Sequence, residues 1–79
     1  MYFVYILQSE KDRSLYVGAT ENVKQRIADH NNGKAKYSNS KHPYVLKWFC
    51  GFPNKQLALA FEKYLKQGSG FAFARKHLL

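Results

Sequence analysis

Residues 2 to 7, YFVYIL, run without a polar break. An unbroken stretch of aromatic, β-branched and aliphatic side chains predicts a strand covered on both faces, and so a central one. The polar SEKDRS that follows reads as a turn and LYVGA as a second short strand, which makes residues 2 to 19 an antiparallel hairpin. The turn is too long to fix the register. From Thr20 the pattern takes a helical period, with Thr20 as the cap of a helix from Glu21 to Asn31, an acid in its first turn and NNG as its stop. Val23 and Ile27 form its apolar stripe, and Arg26 and His30, four apart, run along one edge of that stripe and lean toward the sheet. Lys24, Gln25 and Asp29 fall on the water side.

A polar, basic loop, GKAKYSNSKHP, leads to a third strand, YVLKWFCGF. Pro53 and Asn54 open a second helix that reaches Gln67, with Leu57, Ala58, Phe61, Tyr64 and Leu65 on its apolar side, and Gly68 ends it. The stretch GSG then joins this helix to a short third one, which carries Phe71, Ala74 and Leu78 on one side. The order β-β-α-β-α-α predicts an α+β fold, a three-stranded antiparallel sheet flanked by helices.

Composition narrows this picture. Seventy-nine residues predict a single domain, 1–79, and 46% apolar with 16% aromatic residues is enough for a packed core. Cys50 is the one cysteine, which excludes an internal disulfide and a cysteine-rich zinc site and suits a reducing, cytoplasmic setting. It reads as a small buried apolar side chain. The apolar N-terminus has neither a basic leader nor the length to span a bilayer. Thirteen Lys and Arg against five Asp and Glu leave a formal charge of +8, which favours a polyanionic partner, with nucleic acid first. No basic helix with a large apolar face points to a membrane surface.

Chemistry is concentrated in Tyr5, Tyr16, Arg26, His30 and Glu62. Two stand on adjacent strands, two on the sheet-facing edge of one helix and one on a second helix, so the fold can bring them together. The first motif reads Phe3-Val4-Tyr5 and the second Tyr16-Val17-Gly18, with ten residues between the tyrosines; Arg26 follows Tyr16 by ten, His30 comes one turn later, and Glu62 lies within ALAFEKYLK. This layout resembles the GIY-YIG nuclease family over nearly the whole chain, and most of all its small stand-alone bacterial members. It departs from the family pattern in having Phe3 and Val4 for glycine and isoleucine, Ala19 where some members place a lysine, and no asparagine after Asn54.

The resemblance implies metal-dependent hydrolysis of phosphodiester bonds in DNA, structure-selective rather than sequence-specific, in DNA repair or processing. In that reading Glu62 holds Mg²⁺ or Mn²⁺, hard cations that keep most of their waters and need few protein ligands. Arg26 forks onto a phosphate and offsets the charge of the transition state. Tyr16 serves as general base or relay, with Tyr5 in the same role or positioning it; a free phenol titrates near about 10 and needs help from nearby positive charge. His30 orients the water, shares a proton with a tyrosine or holds a phosphate. Gly18 lets the backbone approach a phosphate or permits the turn toward Thr20. Lys34, Lys36, Tyr37, Ser38 and Lys41 mix cations, hydroxyls and an aromatic ring as a surface that tracks a nucleic-acid backbone does. The expected partner is DNA, branched, nicked or single-stranded, with a homodimer or a partner protein supplying further specificity. The competing reading is a non-catalytic or weakly catalytic nucleic-acid-binding module of the same fold.

Overall fold

β1 (Tyr2–Ser9) lies between β2 (Leu15–Thr20) and β3 (Tyr44–Phe52) and is antiparallel to both. The helices follow as α1 (Val23–Asn31), α2 (Lys55–Lys66) and α3 (Gly68–His77), in the order read from the sequence. The computed structural model describes residues 1–32 and 41–79. The unbroken apolar run becomes a strand with no exposed face: Val4, Tyr5, Ile6 and Leu7 are all at most 1% exposed. Successive side chains point to opposite faces, and the strand divides accordingly. Val4 and Ile6 join Val17, Ala58, Leu65 and Ala74 in the cluster beneath α2 and α3. Tyr5 and Leu7 join Tyr44 in a second cluster, backed by Tyr16, Val23 and Ile27. Burial of each Val, Leu or Ile side chain in these clusters contributes about 1.5–3 kcal/mol.

Register follows from the pairing. Tyr5 stands opposite Gly18 on β2 and Phe49 on β3, and Leu7 stands opposite Tyr16. Between Ile6 and Leu7 the β3 pairing skips Lys47, a local bulge. At the far end of β1, the Ser9 hydroxyl donates to the Lys41 carbonyl at 2.6 Å and accepts the amides of Lys11 and Asp12. Ser9 is fully buried, and it ties the hairpin turn to the segment that enters β3. Within that turn Arg13 takes a positive φ of 66°.

The helix ends depart from the sequence reading in ways the backbone explains. Thr20 is still paired with Phe3 as the last residue of β2, so it cannot cap α1. Asn22 caps it, accepting the Gln25 amide at 3.0 Å, while the Thr20 hydroxyl accepts the Asn22 amide. Glu21 therefore precedes the helix, and no acid occupies its first turn. On α2, Asn54 caps as expected and accepts the Leu57 amide at 2.9 Å. Its inward stripe is narrower than predicted: Ala58 and Leu65 are buried and Phe61 is partly so, but Leu57 is 50% and Tyr64 39% exposed. Phe71, expected on the inner side of α3, is also 39% exposed, and Cys50 is half-buried rather than buried.

GSG is not a linker. Gln67 alone separates the two helices, with φ −88° and ψ 160°, and Gly68–Gly70 form the first turn of α3. Beyond punctuating the helices, Gly70 is buried where α3 meets the end of α2, and a Cβ there would run into the Tyr64 carbonyl. Gly70→Ala is therefore expected to destabilise the domain by roughly 1–3 kcal/mol through overpacking. Gly68 has open space around it, so Gly68→Ala should be neutral or stabilising by up to about 1 kcal/mol. Urea denaturation of both variants measures the contrast.

Candidate active site

The strand register puts Tyr5, Gly18 and Tyr16 on one face of the sheet, the face that α1 covers. The Tyr5 phenol lies across Gly18, where any Cβ would collide with its ring and hydroxyl. Sequence reasoning gave the missing Cβ to an approaching phosphate or to the chain turn; in the structure Tyr5 takes that space. The rings of Tyr5 and Tyr16 then lie 6.4 Å apart, nearly parallel. Tyr5 is 1% exposed, while Tyr16 on the edge strand retains partial access to solvent.

His30 arrives from the last turn of α1, on the sheet-facing side predicted for it, and is fully buried. Its Nε2 lies 3.2 Å from the Tyr5 hydroxyl, and its ring meets Tyr16 edge-on at 4.5 Å between centroids. Burial, with the Arg26 charge adding to it, holds His30 below the usual histidine pKa. Burial also pushes the Tyr5 phenol up to about 12, and Tyr16 reinforces the shift. Both partners are thus neutral at pH 7, and their hydrogen bond joins a phenol to an imidazole rather than a phenolate to an imidazolium.

Arg26 sits one turn before His30 with its side chain 40% exposed, 3.9 Å from Asp29. Asp29 is half-buried rather than turned to water, because it pairs with Arg26 and accepts the Gln25 side-chain amide at 3.0 Å. The nearby guanidinium draws the Tyr5 pKa partly back down against burial. Glu62 comes from α2 on the other face, a helix that contacts β2 as well as β1. Its carboxylate is 19% exposed, raises the Tyr5 pKa, and accepts from Lys66 at 3.0 Å. Tyr5, Tyr16 and His30 thus form one aromatic group with Arg26 one turn away on α1, whereas Glu62 approaches from the opposite face of the sheet with Lys66 as its partner.

Among the described residues, no three of His, Cys, Asp and Glu gather into a metal-binding cluster. One carboxylate that is still reachable from solvent nevertheless suits a hard cation that keeps most of its waters, provided it displaces the Lys66 ammonium. Lys41 stands apart from this group: its ammonium is 3.3 Å from Asp12, in the hairpin turn. That contact and the Ser14 hydroxyl and amide hold Asp12 far below the usual carboxylate range, the Ser14 bonds being the stronger cause. Lys34, Lys36, Tyr37 and Ser38 lie outside the described residues.

Two participants escaped the sequence reading. Tyr44 is 5% exposed and packs its ring 5.7 Å from His30 and 6.5 Å from Tyr16. Asn31, taken as part of a helix stop, is the last residue of α1, and its side chain clamps the Tyr44 backbone, donating to the carbonyl at 3.1 Å and accepting the amide at 2.5 Å. Only the position of Tyr44 just after Pro43, at a strand start, marked it in the sequence.

Gly18→Ala must displace the Tyr5 phenol from β2, so a loss of roughly 1–3 kcal/mol is expected from overpacking together with a weakened contact to His30. Chemical denaturation and the His30 imidazole NMR shifts report the two effects separately. The depressed pKa of His30 also fixes a pH dependence. Its neutral form stabilises the fold above the unfolded value near 6.5, and this contribution is lost as pH falls through the lower folded value. Thermal stability should therefore drop as pH falls from 7.5 to 5, and more steeply in the wild type than in His30→Gln, as followed by circular dichroism.

The chain matches the GIY-YIG catalytic domain over residues 1–75. It is 47% identical over 68 residues to a UPF0213 protein of Clostridium perfringens, covering 85% of this chain and 72% of that protein. It is 40% identical over 65 residues to a UPF0213 protein of Vibrio campbellii, covering 81% of this chain and 62% of that one. The solution NMR structure of a UPF0213 protein from Bacillus halodurans superposes with a TM-score of 0.58 at 32% identity, covering 99% of this chain and 87% of that chain. No described helix is long and apolar enough to cross a membrane. The match across residues 1–75 covers Tyr5, Tyr16, Arg26, His30 and Glu62, and this chain belongs to the GIY-YIG family.

Proposed function

We propose that the domain hydrolyses phosphodiester bonds in DNA, with a divalent cation at Glu62 and selectivity for DNA structure rather than sequence. The observation that carries this reading is the buried Tyr5–His30 hydrogen bond with the Tyr16 ring packed against the same imidazole. Arg26 stands one turn from His30 on α1, and Glu62 comes from α2. Packing alone does not call for two phenols around one buried imidazole. The net charge of +8 supplies the attraction for a polyanion.

In this mechanism Tyr16, the tyrosine with access to solvent, takes the proton from the attacking water in its phenolate form. Tyr5 is buried, with a pKa near 12, and stays protonated. Its hydrogen bond to His30 fixes the imidazole against the Tyr16 ring, so Tyr5 is a positioning residue. Arg26 exchanges its long contact with Asp29 for the non-bridging phosphoryl oxygens, whose charge grows in the transition state. Glu62 would hold Mg²⁺ or Mn²⁺ in place of the Lys66 ammonium, and the bound cation would supply positive charge to offset that of the transition state. The leaving oxygen takes its proton from solvent. A single such site nicks one strand, and a double-strand break needs two visits or a second copy. The non-catalytic alternative draws its support from Lys66, which already neutralises the one candidate metal carboxylate.

A cleavage assay separates the two readings. Supercoiled plasmid and labelled duplex, single-stranded and branched DNA are incubated with Mg²⁺, Mn²⁺ or chelator. Wild-type cleavage is expected only with metal, falling at least about 100-fold in Tyr16→Phe and Glu62→Gln. DNA binding in chelator should survive both substitutions. Binding without wild-type cleavage of any of these substrates would establish the non-catalytic module.

A further inference from the structure

Along the outer edge of β2 runs a cavity of about 300 Å³ lined by Leu15, Tyr16, Val17, Leu65, Lys66 and Phe71. Because β2 ends the sheet, the cavity reaches side chains of both faces: Tyr16 from the face of the candidate site, Leu15 and Val17 from the other. Four of its residues are apolar, one of them an aromatic ring that α3 leaves 39% exposed. Its two polar residues are the candidate base and the lysine that holds Glu62. Arg75 places its guanidinium 5.7 Å from the centroid of the same Phe71 ring.

We propose that this cavity takes one unpaired nucleobase of the DNA strand whose phosphate lies at Tyr16, a subsite that makes an unpaired nucleotide beside the cut the feature selected. The inference rests on the reading of Tyr16 and its neighbours as a DNA phosphodiesterase site. An aromatic face accepts any base by stacking, without reading its hydrogen-bonding edge, in keeping with selection by structure and not by sequence. Leu15, Val17 and Leu65 supply the apolar floor that excludes water from the base. Lys66 brings positive charge to the cavity itself and Arg75 brings it to the Phe71 ring, the side from which the phosphates flanking the base would approach. The volume is at the small end for ligand clefts and admits a planar base but not a duplex. A paired base could enter only by leaving its stack, whereas an unpaired one avoids most of that cost. The preference therefore arises from the state of the DNA.

The test uses the intact protein in chelator, so that no cleavage is required. Binding is measured to a duplex carrying one bulged 2-aminopurine and to the same duplex fully paired, reading both affinity and 2-aminopurine fluorescence. The wild type should bind the bulged duplex on the order of tenfold more tightly and change its fluorescence. Phe71→Ala should bring the two affinities within about twofold of each other while leaving the paired duplex bound as before, and Phe71→Tyr should retain the preference. Equal wild-type affinities, or a preference that survives Phe71→Ala, would overturn the proposal. A preference lost in Phe71→Ala alongside a wild type that cuts no DNA would keep the base subsite and remove the nuclease reading. Failure to bind either duplex would remove both.

Discussion

Burial of β1 on both faces is the constraint from which the rest of the domain follows. A strand whose every second side chain points the opposite way needs a layer on each side, and α1 on one and α2 with α3 on the other supply them. The arrangement divides the labour of the sheet. Val4 and Ile6 look into an aliphatic cluster that has only to pack. Tyr5 and Leu7 look toward α1, the helix that carries Arg26 and His30. A slip of one residue in register would send Tyr5 under α2 and leave His30 facing an aliphatic side chain. The hydrogen bonds of Ser9 and the Asn31 clamp on Tyr44 oppose such a slip at the end of the sheet where both meet β3.

Within the site, Tyr5 depends on an absence. Its phenol occupies the room that a side chain at position 18 would fill, and from there it meets His30. Glycine in a strand interior normally weakens it, through backbone entropy and lost packing. Here a neighbouring strand's ring fills the gap, so much of that packing is restored. Tyr44 closes the aromatic group from the third strand, and α1 is held to that strand by the two bonds between Asn31 and the Tyr44 backbone. All three strands and α1 thus fix the position of one imidazole.

Much of this was legible in the sequence because the relevant signals are local. The uninterrupted YFVYIL marked β1 as central, and the spacing of Val23, Arg26, Ile27 and His30 placed His30 toward the sheet. Glu62, one residue from Phe61 at the border of an apolar stripe, was legible as a residue between core and water. What could not be read depends on partners distant along the chain. Gly18 makes room for a residue thirteen positions earlier, and Gly70 for a carbonyl of a different helix. Thr20 has the chemistry of a cap, but its pairing with Phe3 prevails over local preference. Tyr44 resembles any strand tyrosine until the fold sets it beside His30.

Lys66 takes part in two arrangements at once, as the partner of Glu62 and as part of the rim of the cavity beside β2. Its ammonium cannot serve both fully at the same moment. Whatever draws it toward the cavity leaves the carboxylate more available to another cation, and a cation bound at the carboxylate frees the ammonium for an anion at the rim. Thermodynamic linkage requires these two effects to be equal in size. If the cavity and the carboxylate are used as proposed, a single ion pair between neighbouring turns of α2 would couple them, and either one could be used to read the state of the other.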